Sequence, residues 1–233
     1  MATKLGRPQI VINFKSKAST AVNRSGRGVG VIILNDENVE DKVVTYTIND
    51  STEIPNSGLT EKSTDLIQKA LLGVPSKLVV YAIPPAKITT IVPQEITDDN
   101  GETTTELVPV VIDSTITQSD ALKNASVLKF NCICYPTGSA QDQENLATWV
   151  KAQRREKYKT IKAIVANVDA DSYGVVNFTT GNIRVINPEY TDALVAAEGI
   201  AEAVSSDIPQ YKIYTAAEYT ARILGIACGI SLD

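Results

Sequence analysis

The sequence predicts an α/β (α+β) fold: a mixed β-sheet flanked by helices, with an extended N-terminal arm and a projecting β-hairpin. Three observations carry that prediction. First, Ile161, Ala163, Ile164, Val165, Ala166 and Val168 form the near-continuous apolar run expected of a strand covered on both faces. Second, a capped helix separates this run from an earlier apolar run, Val127 to Tyr135, so strand, helix and strand follow in order. Third, Thr64 to Leu72 leads through Gly73 and Pro75-Ser76 into the apolar run Lys77 to Ile83, a second helix-turn-strand unit. The expected division is an arm and linker over 1–28 and an α/β body over 29–233, with 84–116 as the hairpin.

Each element has a local signature. Ile10, Ile12 and Phe14 alternate with Gln9, Val11, Asn13 and Lys15, a half-buried strand pattern. Arg24-Ser-Gly26-Arg27-Gly28 then reads as a flexible link to the strand Val29 to Leu34. Burying three apolar side chains yields roughly 1.5–3 kcal/mol each, while ordering the arm's backbone costs roughly 1–2 kcal/mol per residue. The arm cannot order itself and needs a preformed sheet edge.

Lys42 to Ile48 is a further strand, and Thr64 to Leu72 a helix with Leu66, Ile67, Ala70 and Leu71 as its stripe and Gly73 as its stop. Ile88 to Val92 and Leu107 to Ile112 flank a polar tip that carries Glu95, Asp98, Asp99, Glu102 and Glu106. A short helix is expected over Ser119 to Asn124. Ser139 and Asp142 have capping-box spacing, and Leu146, Trp149 and Val150 fall on one face of the helix that follows. Its other face is basic, with Lys151, Arg154, Arg155, Lys157 and Lys159. Val175 to Phe178 and Ile183 to Ile186 read as a hairpin around Thr179-Thr-Gly-Asn182, followed by an acidic helix over Glu189 to Ser205. Tyr211 to Tyr214 is a short apolar run, and Thr215 and Glu218 open a last helix that ends at Gly229.

Composition narrows the function. The 233 residues are 43% hydrophobic and 21% charged, enough to build a full core without staples. Cys132, Cys134 and Cys228 form neither a C-x-x-C pair nor an even framework, so buried free thiols in a reducing compartment are expected. No apolar stretch approaches the roughly 18 residues of a membrane span, and no signal-type core follows Lys4 and Arg7, so neither standard secretion nor membrane insertion is expected.

There is no histidine, which removes Ser-His and Cys-His nucleophile pairs and the usual general base. Gly26, Gly28 and Gly30 lack the spacing and the following helix of a dinucleotide fingerprint. Asp169 to Thr180 fails as a calcium loop, with Tyr173 and Thr180 at ligand positions. No cofactor, metal or catalytic residue is expected.

Charge is divided unevenly. Residues 1–35 hold six bases and no acid, so the remaining 198 carry a net charge of −11. A basic arm on an acidic body favours docking on an acidic protein surface, including another copy of the chain, over nucleic acid, because the body repels phosphate.

The succession of several stretches resembles the tail sheath proteins of contractile phage tails and phage-tail-like bacteriocins. These are Pro8 to Ser16 with Arg27 to Ile33, Ala70 to Tyr81, Phe130 to Pro136 with the following helix and Ala163 to Asn167, and Tyr214 to Gly229. The resemblance implies a non-enzymatic subunit that polymerises around a tail tube and contracts to drive the tube through a cell envelope. Its implied partners are other copies in stacked rings, the tail tube protein, and baseplate and tail-terminator proteins. Assembly would take place in the bacterial cytoplasm. Ile10, Ile12 and Phe14 become anchors of a strand donated to a neighbour, with Arg24, Gly26, Arg27 and Gly28 as the hinge. Lys151, Arg154, Arg155 and Lys159 become candidate contacts with a neighbour's acidic helix or hairpin. In the family a further domain and a C-terminal arm follow the last helix, so the sequence is expected to represent a shortened form. The alternative is an α/β enzyme binding a small molecule or nucleotide beyond Tyr135 and Asn167, at the carboxyl ends of the central strands.

Overall fold

The central strands owe their place to apolar side chains on both faces. In the computed structural model, which describes residues 27–97, 103–170, 172–196 and 205–230, β1 (Val29–Asn35) lies between β3 (Lys77–Ile83) and β6 (Cys132–Cys134), parallel to both. β7 (Lys162–Ala166) and β8 (Val175–Phe178) continue the parallel array, and β2 (Val44–Ile48) pairs antiparallel with β3. The six-stranded mixed sheet has the order β2-β3-β1-β6-β7-β8.

Side chains alternate between two cores. Val31, Ile33, Val79, Tyr81, Ile133, Ala163 and Val165 face one layer of helices, α2 (Gln118–Ser126) and α3 (Ala140–Lys157). Ile32, Leu34, Leu78, Val80, Cys132, Cys134 and Ile164 face the other, α1 (Glu61–Leu71) and α5 (Ala216–Gly229). The result is the expected sheet between helical layers.

Caps fix where the helices begin. Ser139 and Asp142 form the expected capping box of α3, and Thr215 and Glu218 that of α5; each such N-cap contributes about 1 kcal/mol. At α2 the Asp120 carboxylate accepts from the N–H and hydroxyl of Thr117, and Thr60 caps α1, so α1 starts three residues before Thr64.

Three local expectations are corrected, and one is described only in part. Val127 is the C-cap of α2 and 83% exposed, so the run from Val127 contributes only Cys132–Cys134 to the sheet. β8 and β9 (Ile183–Ile186) do not pair as a hairpin: β8 adds to β7, whereas β9 pairs antiparallel with β10 (Tyr211–Tyr214) in a separate ribbon. The acidic helix is described as α4 over Pro188–Ala196; residues 197–204 of the expected Glu189–Ser205 helix lie outside the described residues.

Gly73 is the third correction. It does not supply the left-handed residue after α1; Val74 does, at φ 56°. What Gly73 supplies is space. A Cβ there would lie 2.0 Å from the carbonyl carbon of Gly225, and Cβ atoms on Gly225 and Gly229 would lie 1.9 Å from Ala70 O and 1.7 Å from Gly73 O. The backbones of α1 and α5 therefore meet directly.

The projecting hairpin is present as a two-stranded ribbon, β4 (Lys87–Thr97) and β5 (Thr103–Asp113), paired over its whole length from Lys87↔Asp113 to Thr97↔Thr103. The strands are longer than the sequence expectation because threonines extend the pattern on both sides of the polar tip. The tip residues 98–102 lie outside the described residues.

Candidate functional site

In parallel α/β sheets, ligands sit beyond the carboxyl ends of the strands. Here that end is closed by polar groups bonded to one another. The Tyr135 hydroxyl donates to Asn35 Oδ1, and the Asn35 N–H donates to Thr137 Oγ1 at 2.6 Å. Gln143 Nε2 donates to Tyr135 O at 2.6 Å, and its Oε1 accepts from the Ala166 N–H at 3.3 Å. Burial pushes the Tyr135 hydroxyl pKa up, with the Asp142 carboxylate adding to the shift.

Asp36, 1% exposed, accepts from the N–H and hydroxyl of Thr60, each at 2.9 Å, and from the Asn38 N–H at 2.9 Å. Burial works to raise its pKa, but the hydrogen bonds from Ser63, Thr60 and Asn38 prevail and hold it below the usual carboxylate value. The hollow remaining near Asn35, Pro84, Ser114 and Tyr135 encloses about 170 Å³, smaller than the roughly 300–1,000 Å³ of small-molecule sites. Asn167, after β7, is in the left-handed region at φ 54°, its N–H donating to Phe178 O at 3.2 Å, and it does not line that hollow.

The three cysteines gather where α5 packs on β6, Cys228 from the helix and Cys132 and Cys134 from the strand, all buried and free. Burial raises the Cys134 thiol pKa, and a hydrogen bond with Cys132, then burial, raises that of Cys228. Such thiols act as small apolar residues. Among the described residues no cluster of His, Cys, Asp or Glu could hold a metal ion, and no helix is long and apolar enough to cross a membrane.

The residues expected to make inter-subunit contacts are placed unevenly. Ile10, Ile12, Phe14, Arg24 and Gly26 lie outside the described residues. Arg27 donates to Val74 O at 3.3 Å, and Gly28 is held on both sides, its N–H donating to Cys228 O at 2.7 Å and its carbonyl accepting from Ser76 N at 3.0 Å. Those two hinge candidates are thus fastened to the body. Of the basic face, Lys151 and Arg155 are exposed, with Arg155 beside Glu156 at 2.9 Å. Arg154 is half-buried, packs over Gly174 and donates to Ile161 O at 2.9 Å. Lys159 donates to Ser126 O.

That last bond belongs to a feature not visible in the sequence. α2 and α3 lie side by side, tied at one end by Lys159 to Ser126 O and at the other by Gln118 Nε2 to Asp142 O at 2.8 Å. Between the ties is a groove of about 590 Å³, floored by Leu122, Trp149 and Gln153 and rimmed by Lys123 and Lys157 at the carboxyl ends of the two helices. Helical spacing placed Trp149 beside Leu146; only the neighbouring helix makes a groove of it.

A second feature is the outer face of the β4–β5 ribbon. Ile91, Leu107 and Val111 are 65%, 67% and 61% exposed, and register places them on one face with Pro93 and Pro109. Hairpin alternation in the sequence could have signalled this face, because Ile91, Pro93, Leu107, Pro109 and Val111 stand at odd positions.

No family model matches the chain. Over 190 residues it is 28% identical to the tail sheath protein of Clostridium phage phiCD119, a match covering 80% of this chain and 45% of that protein, so the chain spans about half the length of this curated relative. Among solved structures, the sheath tail protein of Desulfitobacterium hafniense superposes with a TM-score of 0.53 at 18% identity, covering 95% of this chain and 62% of the other. The sheath tail protein of Listeria innocua gives a TM-score of 0.54 at 14% identity, covering 92% and 60%. In sequence over four-fifths of its length the chain is similar to a phage tail sheath protein, and in fold over nearly all of it to two sheath tail proteins.

Proposed function

We propose that the chain is a structural subunit of a contractile tail sheath, an arm (1–28) on a rigid α/β body (29–233), which polymerises around a tail tube and shortens to drive the tube through a target envelope. The match to a tail sheath protein over 190 residues carries this reading. The architecture supports it: a body with two packed cores can rotate as a unit, while ribbons with unpaired edges offer sites for strand addition. The partners that follow are copies of the chain in stacked rings, the tube protein, and baseplate and terminator proteins, assembled in the bacterial cytoplasm into a phage tail or bacteriocin particle. The enzyme alternative is weakened by the crevice at the carboxyl ends of the strands, whose polar groups are bonded to one another rather than converging on a cavity.

Within this reading Ile10, Ile12 and Phe14 anchor a donated strand, and the pivot falls at Arg24 to Gly26, upstream of the fastened Arg27 and Gly28. Ile12→Asp in the producing phage or bacterium is the test. Electron micrographs should then show tail tubes without sheaths, whereas sheaths of normal length on the variant would overturn the strand-donation mechanism.

A further inference from the structure

The groove between α2 and α3 and the outer face of the β4–β5 ribbon are each incomplete in one copy of the chain. The groove is built rather than incidental: hydrogen bonds tie its two ends, from Gln118 to Asp142 O and from Lys159 to Ser126 O. Leu122 and Trp149 form an apolar strip within a lining that is otherwise polar. At one end stand Lys123, whose side chain is 72% exposed beside Asp120 at 2.8 Å, and the exposed Lys157. Asp142, at the other end, is engaged in capping α3 through Ser139.

The ribbon is the complementary shape and charge. An isolated two-stranded hairpin is marginal in water unless one face is covered. Yet Ile91, Leu107 and Val111 on one face are all more than 60% exposed, and β4 and β5 make their extensive contacts only with each other. From Ile88 to Ile112 the sequence holds five acids and no base. Register places position 95, a glutamate, on the same face as Ile91 and Leu107, one step nearer the tip.

We propose that the β4–β5 ribbon of one copy docks its Ile91–Leu107 face into the α2–α3 groove of a neighbouring copy, with its tip toward Lys123 and Lys157. The apolar stripe covers Leu122 and Trp149, and the end of the ribbon whose register includes position 95 lies toward Lys123 and Lys157. Charge fixes the direction: reversed, the acidic tip would meet Asp142. The contact joins copies and so rests on the self-assembly in the proposed function, though not on contraction.

Trp149 is the chain's single tryptophan and lies in the groove, so its fluorescence reports the docking directly. As the concentration of the whole protein is raised, its emission should shift to shorter wavelength in step with the oligomer seen by sedimentation. Ile91→Asp/Leu107→Asp, on a face that packs on no core, should move the midpoint at least about tenfold higher. Glu95→Lys should weaken the shift, and mixing that variant with Lys157→Glu should restore it. If the double variant fails to fold by circular dichroism, the charge swap alone decides. An unchanged midpoint in the ribbon variants overturns the inference, as does an unrestored swap. Oligomers forming without a Trp149 shift, or a shift only on adding a different protein, overturn it while leaving self-assembly standing. A wild-type chain that stays monomeric at every concentration overturns both.

Discussion

At the scale of single residues, glycine serves close packing and aspartate serves buried hydrogen bonding. Gly225 lets α5 approach α1 until backbone meets backbone, with no flexible side chain there to move aside. Gly225→Ala would drive a methyl group to 1.9 Å from Ala70 O and should cost about 3 kcal/mol, at the upper end of overpacking effects. Gly181→Ala, with nothing within 4 Å, should change stability by less than about 0.5 kcal/mol. Urea unfolding of the two variants measures the contrast.

Asp36 gives a pH signature. Its carboxyl pKa is depressed in the folded chain, so its contribution is fully present above the unfolded value, about 3.9, and is lost as pH falls through the folded value. Asp36→Asn should therefore flatten the acid limb of the stability curve below about pH 4. It should also cost about 1–3 kcal/mol at neutral pH, because hydrogen bonds from Thr60 and Asn38 are weakened or lost. An unaltered acid limb would assign the acid sensitivity to other carboxylates.

At the scale of elements, stability should be graded. β1 and β3 are buried between two helical layers, whereas β4–β5 stands on its own hydrogen bonds. Amide hydrogen exchange in dilute protein should thus be orders of magnitude faster in the ribbon than in β1 and β3; equal protection would mean that the ribbon is already covered.

At this scale some features are local in the sequence and others are not. Buried strands announce themselves, because a strand between two apolar layers is apolar along its buried part: Leu78 to Ile83 follow the exposed Lys77 without a polar interruption, and the strand has the bounds expected of it. Capping boxes at Ser139 and Thr215 are equally local and were read correctly. Partner choice is not local. Thr179 to Asn182 has hairpin chemistry, and Asn182 does take the left-handed conformation at φ 54°, but β8 and β9 join different sheets because only tertiary packing decides which edge each one meets. Val127 to Asn131 misled for a related reason, since an apolar residue at a helix end and a buried strand residue look alike until exposure is known. The α2–α3 groove was illegible because it exists only between elements, and it took Lys159, expected on an open face, as one of its ties.

At the scale of the whole molecule, the body presents two tightly packed cores, a closed crevice where an α/β enzyme would bind its ligand, and uncovered apolar surface on a ribbon. Surface of that kind is a demand for partners. It fits a subunit whose work is done in an array, and it joins the sequence likeness to a tail sheath protein with the fold likeness to two more. Immunogold electron microscopy of tail particles from the producing cells, with antibodies against this chain, tests the assignment most directly. Gold should decorate the sheath along its full length, over a shorter span once particles have contracted; label confined to the tail ends, or particles left unlabelled, would contradict it.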